Sequence, residues 1–171
     1  QESRGLGDVY KRQHKHTARI LFVTLFSYYF YYKSSGTYFF LLALVTVCDF
    51  FLAQLMARAE GYWKRKGLVV LSLSVNLGLL AYFKYTNFLG GVIASLMGGE
   101  FTAIDIFLPV GISFFTFQSL SYTIDVYRKD IKPLTSLLDY AFYVSFFPQL
   151  VAGPIVRARD FIPQIRKPLF V

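Results

Sequence analysis

The residue types best suited to chemistry lie in one interrupted apolar stretch, SFFPQLVAGPIVRARDF at 145–161. Helix breakers and fixed positive charges interrupt or close it, at Pro148, Gly153, Pro154, Arg157 and Arg159. Proline removes a backbone donor, and a Gly-Pro pair ends a helix. Non-helical backbone at membrane depth must be buried in protein or line a water-filled cavity. The pattern therefore predicts a re-entrant or broken helix near 140–155 that lines a polar recess, with arginine donors satisfying the freed carbonyl groups.

A second group of polar residues follows a helical period. Gln118, Ser121, Tyr122 and Asp125 recur at spacings of three and four, which places them on one face of a helix. Such a stripe can line a substrate path, or it can bridge neighbouring membrane helices through hydrogen bonds. The sequence leaves both interpretations open.

Two further polar residues lie inside apolar runs. Asp49 is near the middle of a run of membrane-spanning length, where an acid costs about 3 kcal/mol on insertion scales. It is therefore expected to face the protein interior and to have a partner, either as a site residue or in a structural hydrogen bond or ion pair between helices. Asn76, alone in the next run, is interpreted as a helix–helix contact.

No metal site or disulfide is predicted. The chain has one cysteine, Cys48, and two histidines, His14 and His16. These residues do not have the spacing of metal ligands. Cys48 is interpreted as a small core residue, and the two histidines as solvated side chains.

The elements that must position these residues are predicted to be transmembrane helices. The 171 residues are 55% hydrophobic, 19% aromatic and only 16% charged, which leaves too little polar surface for a soluble domain. Long apolar segments lie at 18–32, 37–56, 67–85 and 101–127, and Gly90 with Gly91 is expected to open an irregular stretch. The sequence thus predicts an all-α, multi-pass membrane protein.

The net charge of +8 follows the loops between these runs. Basic residues concentrate at the start, at 58–66 and at 128–132, whereas 33–36 and 84–100 carry one base each. Cytoplasmic loops are enriched in Lys and Arg, so the first three regions are expected inside and the other two outside. Because the basic residues lie in short clusters between apolar runs, nucleic-acid binding is not predicted.

The first 17 residues differ in composition from the rest. QESRGLGDVYKRQHKHT is polar, charged and aperiodic, and DVYKRQ resembles the translation of an adapter used in DNA library preparation. We interpret residues 1–17 as a sequencing scar or disordered start, and 18–171 as the transmembrane domain.

Four stretches carry a resemblance to a known family: TVCDFFLAQ, YFKYTNF, LPVGISFFTFQSLSYTIDVYR and SFFPQLVAGPIVRARDF. Together they resemble the membrane-bound O-acyltransferase family, in the branch of the bacterial alginate O-acetylation membrane subunit. The resemblance covers nearly all of 18–167. It assigns motif or funnel roles to Gln118, Ser121, Asp125, Tyr127, Arg128, Pro148, Gln149, Gly153, Pro154 and Arg157.

The resemblance implies a ring of transmembrane helices around a funnel through the bacterial inner membrane. It implies transfer of an acyl group from a cytoplasmic thioester, acetyl-CoA or an acyl carrier, to an extracytoplasmic polysaccharide such as alginate. An extracytoplasmic partner protein would assist, and no bound cofactor is expected. The family's catalytic histidine lies in a later helix, so this N-terminal portion is expected to be inactive by itself.

Two other functions fit the residues. Broken helices with polar stripes also mark the substrate sites of transporters, so a polymer or precursor export channel is the alternative. A structural subunit that only docks a partner is the third. An inverted repeat of the 101–155 pattern in the complete gene would favour the transporter.

Overall fold

The computed structural model describes residues 2–146 and 158–165, with side chains from Thr17 onward except that of Gln164. This part of the chain is helical and contains no strand, which confirms the all-α fold class. A short 3-10 turn, Gly36–Tyr38, separates the first two of the six helices within these described residues. The helices are α1 (Glu2–Ser35), α2 (Phe39–Arg58), α3 (Tyr62–Leu96), α4 (Ile112–Arg128), α5 (Leu137–Ser145) and α6 (Ala158–Ile165).

Helices α1 and α2 form a hairpin. The chain reverses at Gly36, whose φ of 58° lies in the left-handed region that glycine adopts without strain. The Tyr28 hydroxyl then donates to Oγ1 of Thr46 at 3.3 Å, so α2 runs back along the end of α1. The backbone of α1 is helical from Glu2; the origin of residues 1–17 stays a prediction.

Two apolar stretches have the length and composition of membrane-spanning segments: Thr17–Arg58, which contains the α1–α2 hairpin, and Tyr62–Leu96, which is α3. Their outer surfaces carry large exposed apolar side chains such as Phe22, Leu44 and Phe51. Helices that are apolar on the outside as well as the inside are typical of membrane spans. The chain is therefore a membrane protein.

The core lies where α2, α3 and α4 meet, and α5 packs on its α1 and α2 side. Buried apolar residues from these helices fill it, among them Leu42, Val45, Met56, Leu80, Phe115, Val126, Tyr140 and Val144. Helix α4 begins after Gly111, whose φ of 74° lets the chain turn sharply, and the backbone N–H of Val110 donates to Oγ of Ser35 at 3.1 Å.

The expectation that Gly90 and Gly91 open an irregular stretch is wrong, because the non-helical backbone begins only at Met97. Helix α3 continues through both glycines to Leu96. A Cβ on Gly90 would meet the ring of Phe101, so this glycine provides room for the returning chain instead of ending the helix. The 101–109 segment is held there by Asn87, whose side chain donates to the Ile104 carbonyl at 2.8 Å and accepts from its N–H at 2.9 Å.

Helix α5 covers the start of the segment predicted to be re-entrant, 140–155, and α6 follows it; residues 147–155 lie outside the described part of the chain. Helix α5 has nine residues, about 13 Å at 1.5 Å per residue, so it cannot cross a bilayer alone. It starts near the end of α4 and reaches the level of Gln118, where Tyr143 lies. The Phe161 ring of α6 lies 5.9 Å from the Phe146 ring and 5.5 Å from the Tyr143 ring, so the two flanks meet in one aromatic cluster.

Candidate functional site

The described helices have two chemically different ends. At one end, Arg65 at the start of α3 donates to the carbonyl of Tyr127 at 2.7 Å, which joins the basic loops 58–66 and 128–132. At the opposite end lie the α1–α2 turn and the segment held by Asn87. The loops are therefore grouped as the charge alternation predicts. Which end faces the cytoplasm stays a prediction.

A buried carboxylate lies between these ends. Asp49 on α2 is 1% exposed, and its two oxygens accept hydrogen bonds from separate donors on α3. Oγ of Ser72 donates to Oδ1 at 2.6 Å, and Nδ2 of Asn76 donates to Oδ2 at 2.8 Å. The prediction that Asp49 faces inward with a partner is confirmed, as is the interpretation of Asn76 as a helix–helix contact.

The same carboxylate reaches α4 and α5. Ser119 on α4 lies close to the Asp49 carboxylate, and its hydroxyl is 3.1 Å from the Tyr140 hydroxyl of α5. Ser72 also lies 3.3 Å from Oγ1 of Thr123. We call these six residues the Asp49 cluster: Asp49, Ser72, Asn76, Ser119, Thr123 and Tyr140. All are buried and they join four helices, which favours the structural interpretation of Asp49.

The polar stripe of α4 mostly contacts α5 and the loop before it. Nε2 of Gln118 donates to the Tyr143 carbonyl at 3.0 Å, and the Tyr143 hydroxyl donates to the Gln118 carbonyl at 3.3 Å. The Tyr122 hydroxyl accepts from the backbone N–H of Leu134 at 2.9 Å. Ser121 and Asp125 are partly buried on the same side. The stripe thus bonds α4 to α5 through Gln118 and to the loop before α5 through Tyr122.

Arg128 lies at the basic end, away from the stripe's α5 contacts. Its side chain is 68% exposed and lies 3.8 Å from Asp130. It lines a cavity of about 780 Å³ between the end of α2, the start of α3 and the end of α4. Arg128 is therefore available to a ligand at this end of the bundle.

Part of the predicted motif lies outside the described residues, namely Pro148, Gln149, Gly153, Pro154 and Arg157. Gln118 bonds to α5, which leads directly into that segment, and α6 contacts both α4 and α5 after it. The structure thus brings α4 to both flanks of the motif. Asp49 and Asn76 belong to a separate group, nearer the α2–α3 interface.

Sequence reasoning identified Asn76 but missed Ser72, Ser119 and Thr123, which help to fix these positions. Ser72 and Asn76 on α3, like Ser119 and Thr123 on α4, are small polar residues spaced by four. This pairing in apolar runs was a readable signal for a buried hydrogen-bonded seam. No group of three or more His, Cys, Asp or Glu side chains suited to a metal ion occurs within the described part of the chain.

Comparison with known proteins identifies relatives over most of the chain. A probable alginate O-acetylase of Pseudomonas aeruginosa is 38% identical over 156 residues, covering 85% of this chain. The corresponding protein of Azotobacter vinelandii gives 38% over 156 residues. A peptidoglycan O-acetyltransferase of Helicobacter pylori is 32% identical over 170 residues.

The chain spans only a part of these relatives: 29%, 30% and 32% of their respective lengths. No family model matches the chain, and no solved structure matches it. The names of these relatives, O-acetylase and O-acetyltransferase, agree with the family that the four stretches resemble. The chain therefore belongs to the membrane-bound O-acyltransferase family, in the branch that contains the alginate O-acetylases.

Proposed function

We propose that the complete protein is a bacterial inner-membrane O-acyltransferase that transfers acetyl groups to an extracytoplasmic polysaccharide such as alginate. One observation carries this proposal: 38% identity to a probable alginate O-acetylase across 85% of the chain. The donor is a cytoplasmic thioester, acetyl-CoA or an acyl carrier, and a partner protein assists at the polymer. The described helices α1–α6 form part of the multi-pass domain.

Within this proposal, the chain supplies part of a funnel wall and does not supply the base. Hydroxyl attack on a thioester needs a positioned general base, usually histidine. His14 and His16 are not positioned for this role, since they precede the first apolar run. The catalytic histidine belongs to a later apolar segment of the complete protein, so residues 1–171 alone do not transfer acetyl groups.

The arrangement of α4, α5 and α6 supports a role for the motif between 147 and 157. Gln118 and Tyr143 tie α4 to α5 through two hydrogen bonds, and Phe161 packs on α5 from the other flank. Both flanks of the motif are thus fixed to the same helices. Within this proposal, Arg157 stabilises the negative charge that develops on a reacting thioester.

The test is acetyl transfer in cells that lack the endogenous enzyme. The complete gene, with its partner proteins, restores acetyl esters on the secreted polymer, measured by NMR of purified polysaccharide. Arg157→Ala abolishes this signal while membrane insertion is retained. Arg159→Ala is the matched control, because Arg159 is half exposed, lies near Asp160 and is expected to retain transfer.

Two outcomes would contradict the proposal. Wild-type acetylation with Arg157→Ala would remove the role of the motif arginine. A transporter would be identified instead if the strain carrying the complete gene exported polymer without acetyl groups and the deletion strain failed to export it. Acetate found on peptidoglycan and absent from alginate would change the acceptor and keep the reaction.

A further inference from the structure

The cavity at the basic end is lined by more positively charged side chains than its hydrogen bonds and ion pairs neutralise. Its charged lining is Arg58, Glu60, Arg65, Arg128 and Lys129, four cations against one carboxylate. Arg65 is committed to the carbonyl groups that end α4. Among the described residues, Arg58 and Lys129 form no ion pair, so their charge faces the cavity.

Lys129 adopts a backbone conformation that lysine seldom takes. Its φ is 66°, and it closes α4 with the bonds from the N–H of Asp130 to Asp125 and from its own N–H to Val126. Glycine normally occupies this position in such a helix end, and another L-residue there costs about 1 kcal/mol. The lysine therefore places a cation on the cavity wall in a strained backbone conformation. Such strain is typical of functional sites, which suggests that the charge of Lys129 has a binding role.

An apolar groove adjoins the cavity. It has a volume of about 570 Å³ and shares Arg58 and Ala59 with the cavity. Its other lining residues are mostly apolar: Leu55, Trp63, Leu68 and Leu71, with Lys64 and Gly67. Trp63 is 77% exposed, as interfacial tryptophans of membrane proteins are. A basic cavity and an apolar groove therefore meet at one point on the outer face of α2 and α3.

We propose that this composite site binds an anionic phospholipid, with its phosphate group in the cavity and one acyl chain in the groove. Arginine and lysine bind phosphate oxygens through charge-assisted hydrogen bonds, and basic pockets beside transmembrane helices suit anionic head groups. The groove distinguishes this ligand from a soluble phosphate compound, since only a lipid has a chain to place along Leu68 and Leu71. Arg58 stands between the two compartments and contacts the phosphate.

The test uses the complete protein, delipidated in detergent, with native mass spectrometry of bound lipid. Dioleoyl phosphatidylglycerol is expected to bind about tenfold more tightly than dioleoyl phosphatidylcholine, because both lipids carry a phosphate but the choline of the second adds a cation that the basic cavity repels. The double variant Arg58→Gln, Lys129→Gly removes this preference. Glycine fits the left-handed backbone at 129, so the helix end remains intact. Lys84→Gln, an exposed lysine near the other end of α3, retains the preference.

A second experiment tests where the acyl chain of the lipid lies. Phosphatidylglycerol with a diazirine on its acyl chain is expected to crosslink to the Leu55, Trp63, Leu68 and Leu71 surface, as mapped by peptide mass spectrometry. Equal binding of the two lipids, full preference in the double variant, or crosslinks only elsewhere would overturn the proposal. Displacement of the lipid by glycerol 3-phosphate or acetyl-CoA at equal concentration would overturn it in favour of a soluble phosphate ligand.

Discussion

The Asp49 cluster and the basic end use polar groups in opposite ways. In the cluster, both carboxylate oxygens of Asp49 are hydrogen bonded within the protein and all six side chains are buried. At the basic end, Arg65 is bonded to α4, whereas Arg58, Arg128 and Lys129 face an open cavity. A polar group that is saturated by its neighbours holds helices together, and one that is left exposed remains available to a ligand.

This difference separates assembly from binding within a single chain. An unpaired polar group in hydrocarbon costs several kcal/mol, so a carboxylate persists at the centre of α2 only with its donors in place. Charge at the ends of the helices has access to water and carries no such requirement. Position along the helix axis therefore indicates which polar residues are structural and which can act on other molecules.

Removal of the Asp49 carboxylate should give the largest effect. In Asp49→Ala, the donors Ser72 and Asn76 lose their acceptor inside the bundle, and the free energy of unfolding falls by about 3 kcal/mol. Thermal unfolding of the complete protein in detergent measures this loss. Val47→Ala, on the lipid-facing side of the same helix, is expected to change stability by less than about 0.5 kcal/mol. Equal effects of the two variants would show that the cluster holds nothing together.

Arg65 is a charged residue of the basic end that is already hydrogen bonded within the protein. Arg65→Met removes the donors to the Tyr127 and Val126 carbonyls, and a cation near the end of a helix stabilises it, so the loss is about 1 to 2 kcal/mol. Lys66→Met is the control, because Lys66 lies over rings of its own helix. If Lys66→Met destabilises the protein as much as Arg65→Met, Arg65 does not cap α4.

Asn87 is intermediate between the two regions, because it is exposed yet makes two hydrogen bonds to Ile104. Solvent can replace these bonds, so Asn87→Ala lowers global stability by only about 1 kcal/mol. Hydrogen exchange at the Ile104 amide becomes faster. Thr86→Val, which removes a bond to Tyr82 in the same helix, leaves that amide unchanged. Unaltered exchange in Asn87→Ala would show that the 101–109 segment is held by other contacts.

Substitution of Gly90 should give the smallest change in stability, and the sign of that change should depend on the residue at position 101. In a helix interior, Gly→Ala stabilises by about 1 kcal/mol, but here the new methyl group meets Phe101. Gly90→Ala is therefore expected to be neutral or destabilising alone, and to stabilise the protein by about 0.5 to 1 kcal/mol in the Phe101→Ala background. Thermal unfolding of the four proteins measures this coupling. Additive effects would contradict the close approach.

The sequence was sufficient for the helical class, the inward position of Asp49 and the grouping of basic loops. Each of these follows from the high cost of polar or charged groups in an apolar medium, which leaves a pattern in the chain itself. The continuation of α3 through Gly90 was not predictable from that pattern. Whether a glycine ends a helix or makes room for Phe101 depends on where a later segment returns.

The partners of Asp49 show the same limit. The donors Ser72 and Asn76 lie more than 20 residues along the chain, and Ser119 and Thr123 lie farther still. Their spacing of four marks one face of each helix but does not state which faces meet. The composite site at the basic end was equally hidden, because the strained φ of Lys129 and the wall formed by Arg58 appear only when α2, α3 and α4 are placed together.

The most direct test of Asp49 as an assembly residue is the acetyl transfer proposed above for the complete protein, measured per folded molecule in Asp49→Asn. The amide keeps the size of the side chain and retains one acceptor oxygen, so the complete protein folds with reduced stability. Transfer by the folded fraction is expected to remain within about twofold of the wild type, since no bond made only in the transition state is lost. A variant that unfolds at the wild-type temperature but has lost transfer would contradict this account and make Asp49 a catalytic residue.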